Sequence, residues 1–486
     1  MNVYFTDYFD VTIDELNAYG AFNISLINDL PVFIDPFLLF NSDKPEYQKL
    51  HEKIIEYITF LRKMSEAGTI SQGLLQHWFL FPEVKQNWLG FSKIGNGGSG
   101  LGAKFAAALN DNLSTIFTNF GAEQVTKSSH LEKLCLVKDG VGKDNISDFT
   151  TNLIKGFLCE YTEIFANSRM DKCRTKSVLA PHAEFNYQTR RWCGKKFTLP
   201  YIDGDYVLLT PKDILTKDEA WINKHDIIGD FDDILKSIPN IELRAQINDY
   251  FLRIIPEDAK QREINWAIAK TLRRFPELID RYIRLKEDTG DKAVSLSSEK
   301  VRDIEAVFIG QVSKLIENLR CDSKFYSTKD DTHEEAYQRV LFLKQVIENN
   351  DGYRIFYIKG APVKREVDLQ LMFRLTWYAS CDDINSEVNN GRGPVDYKIS
   401  RGSKDSTLVE FKLASNSKLK QNLANQVEVY EAANKTKKSI KVILYFSGDE
   451  LTKVQKIMKE LELKEGKGLV LIDAQSTNKQ SGSNVK

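Results

Sequence analysis

The stretch GPVDYKISRGSKDSTLVEFKLA, residues 393 to 414, limits what this chain can fold into more than any other. Side chains alternate faces along a strand, so Val409, Phe411 and Leu413 point one way and Glu410 and Lys412 the other. RGSKDS, between the two apolar runs, is turn chemistry: Gly402 is free to take positive φ, and Ser403 and Asp405 can bond nearby backbone. A loop over residues 401 to 405, centred on Ser403, predicts a hairpin pairing 400 with 406, 398 with 408 and 396 with 410, unless a one-residue bulge shifts the register. Asp396 then lies opposite Glu410. Directly opposed residues have Cβ atoms about 4.5–5.5 Å apart, and like charges there are destabilising unless something sits between them. A divalent cation such as Mg²⁺, which takes oxygen ligands and keeps positions for water and phosphate, meets that need. Lys412, on the same face, adds a positive charge able to hold a water or a phosphate oxygen.

Asp396 followed by Glu410-Phe411-Lys412 in an apolar strand resembles the D…(D/E)-x-K signature of the PD-(D/E)XK nuclease superfamily. The resemblance extends to the approach Gly391-Arg392-Gly393-Pro394-Val395-Asp396. Two flanking features add to it. The segment from Val363 to Tyr378 has helical spacing, with Glu366 near its start and Leu369, Phe373 and Trp377 four residues apart. KLKQNLANQVEVYEAAN, 418 to 434, is strongly helical and sets Gln426 and Tyr430 on one face, like the Q-x-x-x-Y pair of many members. A strand at 440 to 447, a helix from Glu450 to Leu463 and a strand at 467 to 474 follow. The family core runs αβββαβ, and two of its first three strands are placed here. The resemblance spans residues 355 to 474, about a quarter of the chain. It implies that Asp396 and Glu410 hold Mg²⁺ (or Mn²⁺), with the Phe411 carbonyl as a further ligand, and that Lys412 orients the attacking water. Glu366, Gln426 and Tyr430 would support them, with Glu387 as a competing acid.

Each of these residues also has a plainer reading. A charged pair in a strand is ordinarily the solvated face of a half-covered sheet. Gln426 and Tyr430 alone suit a packed helix, and Glu366 alone suits a helix N-terminus, where the dipole favours an acid.

Charge bears on the partner. The net charge of −1 gives no global field to attract a polyanion. Between Gly391 and Lys441, however, eleven bases face five acids. Arg392, Lys398, Arg401, Lys418 and Lys420 are therefore the expected nucleic-acid contacts. Six scattered cysteines without CxxC pairs suit reduced thiols in a cytoplasm. Cys159, Cys173, His182 and Cys193 have the elements of a zinc site but match no common finger spacing. No apolar run reaches a membrane span, and the acidic N-terminus is unlike a signal peptide.

At 486 residues the chain should hold several domains. Residues 1 to 40 alternate like strands, interrupted by Pro31 and Pro36. Helices are expected at 44 to 65 and 147 to 170, and a strand pair at 195 to 215 turning on Asp203-Gly204-Asp205. The loop GNGGSGLGAK, 95 to 104, invites comparison with a phosphate cradle. It fails the P-loop pattern, because Ala103 precedes Lys104 and no Ser or Thr follows. Beyond Gly229 the pattern is helical, at 231 to 254, 257 to 287, 297 to 319 and 330 to 349.

The fold class expected is multidomain α/β. A mixed α+β recognition or regulatory region (1–230) leads to a helical connector or oligomerisation region (231–350). A restriction-endonuclease-like α/β core (351–474) follows, then a disordered tail (475–486). The expected function is Mg²⁺-dependent cleavage of DNA in bacterial restriction or phage defence, by a cytoplasmic homodimer whose N-terminal part binds a trigger or partner protein. The alternatives are a non-catalytic nucleic-acid-binding or regulatory protein on a nuclease scaffold, and a structure-specific repair nuclease.

Overall fold

The structure is a computed structural model. It describes residues 3–68, 70–90, 101–113, 120–137, 141–217, 219–256, 258–314, 331–358, 360–377, 383–389, 394–401, 405–424 and 438–479. The chain forms two compact units, one from Phe5–Ser92 with Asn96–Val301, the other from Arg302–Lys486 with Val3 and Tyr4.

In the first unit, residues 5 to 40 correct the expectation of strands. They form helices Phe5–Phe9, Ile13–Tyr19 and Pro36–Phe40, and the one strand among them is the two-residue Phe33–Ile34, paired with Leu215–Thr216. End chemistry overrides the alternating apolar pattern. Thr12 and Glu15 make a reciprocal capping box, and Gly20 closes that helix at φ 82°. Asp35 caps the next, with Pro36 in its first turn. The helix expected at 44 to 65 is Pro45–Glu66, and the one at 147 to 170 is two, Lys143–Leu153 and Lys155–Arg169.

The turn at Asp203-Gly204 is present, both residues at positive φ, joining Tyr201 and Ile202 to Asp205 and Tyr206. Its main strand, Arg191–Ile202, pairs with Thr175–Asn186, an arm the sequence reading did not assign. Pro181 and the register shift between Ala180 and Glu184 break that arm's alternation. Phe185 and Trp192 of the hairpin pack against Tyr57, at ring-centroid distances of 4.9 and 5.3 Å. Helices Lys224–Gly229, Phe231–Lys236, Ile241–Ile254, Gln261–Arg274, Glu277–Asp288 and Gly290–Ile304 follow. Pro276 splits the helix expected at 257 to 287, since it disfavours helical backbone at the residue before it.

The second unit is a three-layer α/β/α arrangement. Its elements are α1 (Thr332–Asn349), α2 (Val367–Thr376), β1 (Asp383–Asn389), β2 (Pro394–Arg401), β3 (Asp405–Leu413), β4 (Ser439–Tyr445), α3 (Gly448–Glu460) and β5 (Leu469–Asp473). A further helix opens at Leu419, between β3 and β4. The strands form one sheet in the order β5-β4-β3-β2-β1. β2 runs antiparallel to both β1 and β3, and β3, β4 and β5 run parallel. β1 is the strand the sequence reading left unplaced.

β4 and β5 are mostly apolar, as suits strands with helices on both faces. On one face, Phe373 of α2 packs on Tyr397 and Phe411 at 5.5 and 5.2 Å. On the other, Ile443, Leu469 and Leu471 join Val454 and Ile457 of α3 with Leu419 and Leu423.

α1 corrects the domain boundary. Expected in the helical connector, it belongs with the sheet, as does the chain from Arg302 onward. Its buried face is Ala336, Val340, Leu343 and Ile347. Thr332 donates its backbone N–H to Asp405 at 2.8 Å, and Lys438 bridges Asp331 and Asp405, both at 2.8 Å. At its other end Glu348 accepts from the Asp473 N–H.

Candidate active site

The hairpin has the expected register: Ser406 pairs with Ser400, Leu408 with Lys398 and Val409 with Tyr397. The next position along would set Asp396 beside Glu410, and there the two strands part. β2 stays with β1 through Val395 and Pro394, whereas β3 stays with β4 from Glu410 to Leu413. Backbone N–H groups of even-numbered β3 residues point to β4, as those of Leu408 and Ala414 show. Those of Phe411 and Leu413 therefore face the opened gap, and so does the Phe411 carbonyl, because a strand residue projects both groups to one edge.

Carboxylates fill that gap. Asp396 Oδ2 accepts from the Phe411 N–H at 2.6 Å, and Glu366 Oε1 from the Leu413 N–H at 3.2 Å. Glu366 makes no capping bond to its own helix, so it is not merely a helix-end acid; it reaches across to the sheet. Asp396 Oδ1 accepts from Gln370 Nε2 at 2.9 Å. The Lys412 ammonium lies 2.9 Å from Glu410 Oε1.

Burial pushes the Asp396 carboxyl up to about 6, with Glu410 and Glu366 adding to the rise and Lys412 and the Phe411 N–H opposing it. Burial works against charge on Lys412, but Asp396 and Glu410 outweigh it and raise its pKa above the usual lysine value. Lys412 is thus a fixed cation at neutral pH, suited to holding an anion or a water and not to acting as a base.

Asp396, Glu410, Lys412 and Glu366 are therefore brought together. Gln370, which sequence reasoning missed, sits one helical turn after Glu366, on the same side of α2. Lys441 is the register partner of Glu410 on β4. It is buried, with Nζ donating to the Leu423 carbonyl, so it is no surface contact for a phosphate.

Of the expected nucleic-acid contacts, Lys398 is half-buried on β2 and Lys418 is exposed. Arg401 pairs with Glu335 at 2.8 Å and Lys420 with Glu460 at 2.6 Å. Arg392, Gln426 and Tyr430 lie outside the described residues, as do the Glu387 side chain on β1 and most of the glycine loop at 95 to 104.

Among the described residues no cluster of three or more His, Cys, Asp or Glu is arranged to hold a metal ion, for zinc or otherwise. Cys159 is buried, while Cys173 and Cys193 are exposed. The gap nevertheless suits a hard divalent cation. Its ligand atoms are carboxylate and carbonyl oxygens, and a cation there would oppose the burial and like charge that raise Asp396.

Residues 11–223 match a Domain of unknown function (DUF8370), and residues 332–448 match a second Domain of unknown function (DUF8371). The second match opens with α1 and takes in Glu366, Asp396, Glu410 and Lys412. No curated protein and no solved structure matches the chain. Among the described residues no helix is long and apolar enough to cross a membrane.

Proposed function

We propose that the second unit is a PD-(D/E)XK-like, metal-dependent nuclease that hydrolyses DNA phosphodiester bonds. One observation carries the reading: Asp396, Glu410 and Lys412 converge where β2 leaves β3, with Glu366 and Gln370 of α2 closing the same gap. The element order α2, β1, β2, β3, the helix at Leu419 and β4 supports a restriction-endonuclease-like core.

In this reading Asp396, Glu410 and the Phe411 carbonyl would hold Mg²⁺ or Mn²⁺, which would supply Lewis acidity and make a water more acidic. Lys412 holds that water or a phosphate oxygen by charge. Gln370 and the Phe411 N–H fix the Asp396 carboxylate so that its remaining lone pairs point into the gap. The water oxygen bonds to phosphorus as the bond from phosphorus to a sugar oxygen breaks; the water gives up a proton to solvent and the departing sugar oxygen takes one from solvent, leaving a phosphate monoester and a free hydroxyl.

A nuclease core joined to a large separate unit suits restriction or phage defence in a cytoplasm, with that unit recognising a trigger, a DNA feature or a partner protein. One metal site aligns one in-line attack, so breaking both strands calls for a homodimer.

The scaffold reading draws on a different observation. Both Asp396 oxygens already accept hydrogen bonds and Lys412 already neutralises Glu410, as in a site that only stabilises the sheet. Incubating the protein with supercoiled plasmid, linear and branched duplex, single strands and RNA, with Mg²⁺ or EDTA, separates these readings. The nuclease reading requires Mg²⁺-dependent cutting of DNA. A preference for branched duplex would indicate repair, and binding without cutting would indicate the scaffold.

A further inference from the structure

The helix Gln261–Arg274 of the first unit carries a surface that the hairpin site does not explain. At 3.6 residues per turn, Arg262, Trp266, Lys270 and Arg273 line one side, opposite the buried Ala267, Ile268, Thr271 and Leu272. All four are exposed, Trp266 by 54%. Lys270 Nζ sits 4.8 Å from the centre of the Trp266 ring. Lys260 precedes the helix and Arg274 ends it, both exposed. The helix holds one acid, Glu263, whose carboxylate is engaged by the Lys260 backbone N–H.

A charged helix face is usually only solvated. Several bases elsewhere in this unit have acids beside them: Lys195 with Glu160 at 2.6 Å, Lys127 with Asp288 at 2.9 Å, Lys236 with Asp233 and Arg284 with Asp288 at 3.2 Å. Among the described residues Lys260, Arg262, Lys270 and Arg274 have no such partner. Cations left without counter-charge around an exposed indole are the combination that binds a nucleic-acid strand, with phosphates on the bases and an unpaired base stacked on the ring. From Arg262 to Arg273 the stripe runs about 16 Å, enough for a few nucleotides.

We propose that this helix face is a nucleic-acid contact that takes single-stranded or unpaired DNA, with Trp266 as the stacking platform and Arg262 and Lys270 on the phosphates. It rests on the reading that the protein acts on DNA, and assigns part of the targeting to the first unit. Apolar exposure on the neighbouring helix, at Ile241 and Leu252, would equally suit a protein partner. The uncompensated positive charge favours a polyanion.

The test uses the full-length protein in EDTA, so that binding is read without cleavage, with a fluorescein-labelled oligo-dT strand and salt titration. Trp266→Ala should weaken binding by roughly five-fold to a hundred-fold, the stacking of one base, while Trp266→Phe keeps most of it. Arg262→Gln with Lys270→Gln should flatten the dependence of log K on log salt by about 1.4, two phosphate contacts on a single strand. Because all three side chains are exposed, melting temperatures should be unchanged. Wild-type affinity and salt slope in these variants would overturn the proposal, as would failure of the wild type to bind. So would a variant that changes the mass in light scattering but leaves binding intact, since the face would then belong to a protein contact. Wild type that binds oligo-dT through this face yet never cuts DNA in Mg²⁺ would sink the nuclease reading and leave this one standing.

Discussion

Asp396 is held by opposing demands: a backbone N–H and a glutamine want it charged, whereas burial and two other carboxylates want it protonated. Its folded-state pKa of about 6 lies above the ordinary 3.8, so the folded protein binds a proton that the unfolded chain has released. Without metal, this group's contribution to stability is therefore expected to fall as pH rises from about 4 to about 6. Mg²⁺ binds the charged form, so the rise in melting temperature that it causes should grow over the same window and be largest above about 6. Asp396→Asn should flatten both trends in thermal scans; wild-type trends in that variant would show that another group titrates. Gln370→Ala should cost about 1 kcal/mol of stability by removing one hydrogen bond, and should slow cleavage without abolishing it. Loss as complete as that of Asp396→Ala would make Gln370 more than a positioning residue. Asp396, Glu410 and Lys412 could be read from the sequence because alternation and a Gly-containing turn fix a hairpin register locally. Gln370 could not, because only the packing of α2 on Tyr397 and Phe411 brings it to a strand twenty-six residues away. Lys441 looked like a surface base because composition does not reveal burial.

The elements that were legible are those whose pattern and ends agree. β4 and β5 are continuous apolar runs, and α3 is opened by Ser447, whose side chain accepts from the Glu450 N–H. The first forty residues misled because alternation suggested strands while Thr12, Gly20 and Asp35 specified helix ends. The hairpin Thr175–Asn186 with Arg191–Ile202 was hidden by its bulge, and its packing rests on one close approach. A Cβ built on Gly156 would lie 2.4 Å from the Ala183 carbonyl oxygen, so helix Lys155–Arg169 can meet the hairpin only through glycine there. Gly156→Ala is expected to lose about 1–3 kcal/mol through overpacking, read as a lower denaturant midpoint at unchanged slope. An unchanged midpoint would mean that the helix and hairpin can shift apart at no cost.

At the scale of the molecule, length indicated several domains, and the chain forms two compact units whose border the sequence pattern did not show. The helical run beyond Gly229 looks uniform in sequence, yet α1 is capped by Asp331 and tied to Asp405 and Lys438, so it belongs to the sheet. In the proposed reading the hairpin site carries the chemistry and the first unit targets or restrains it. The full-length protein should therefore nick or cut supercoiled plasmid only with Mg²⁺ or Mn²⁺. The most direct measurement compares wild type with Glu410→Ala on that plasmid, each in Mg²⁺ and in EDTA, with melting curves to show that the variant is folded. Conversion of supercoiled DNA by wild type in Mg²⁺ alone, and none by a folded Glu410→Ala, is the expected result. Equal cutting by the two proteins, or cutting that persists in EDTA, would contradict the assignment of this site.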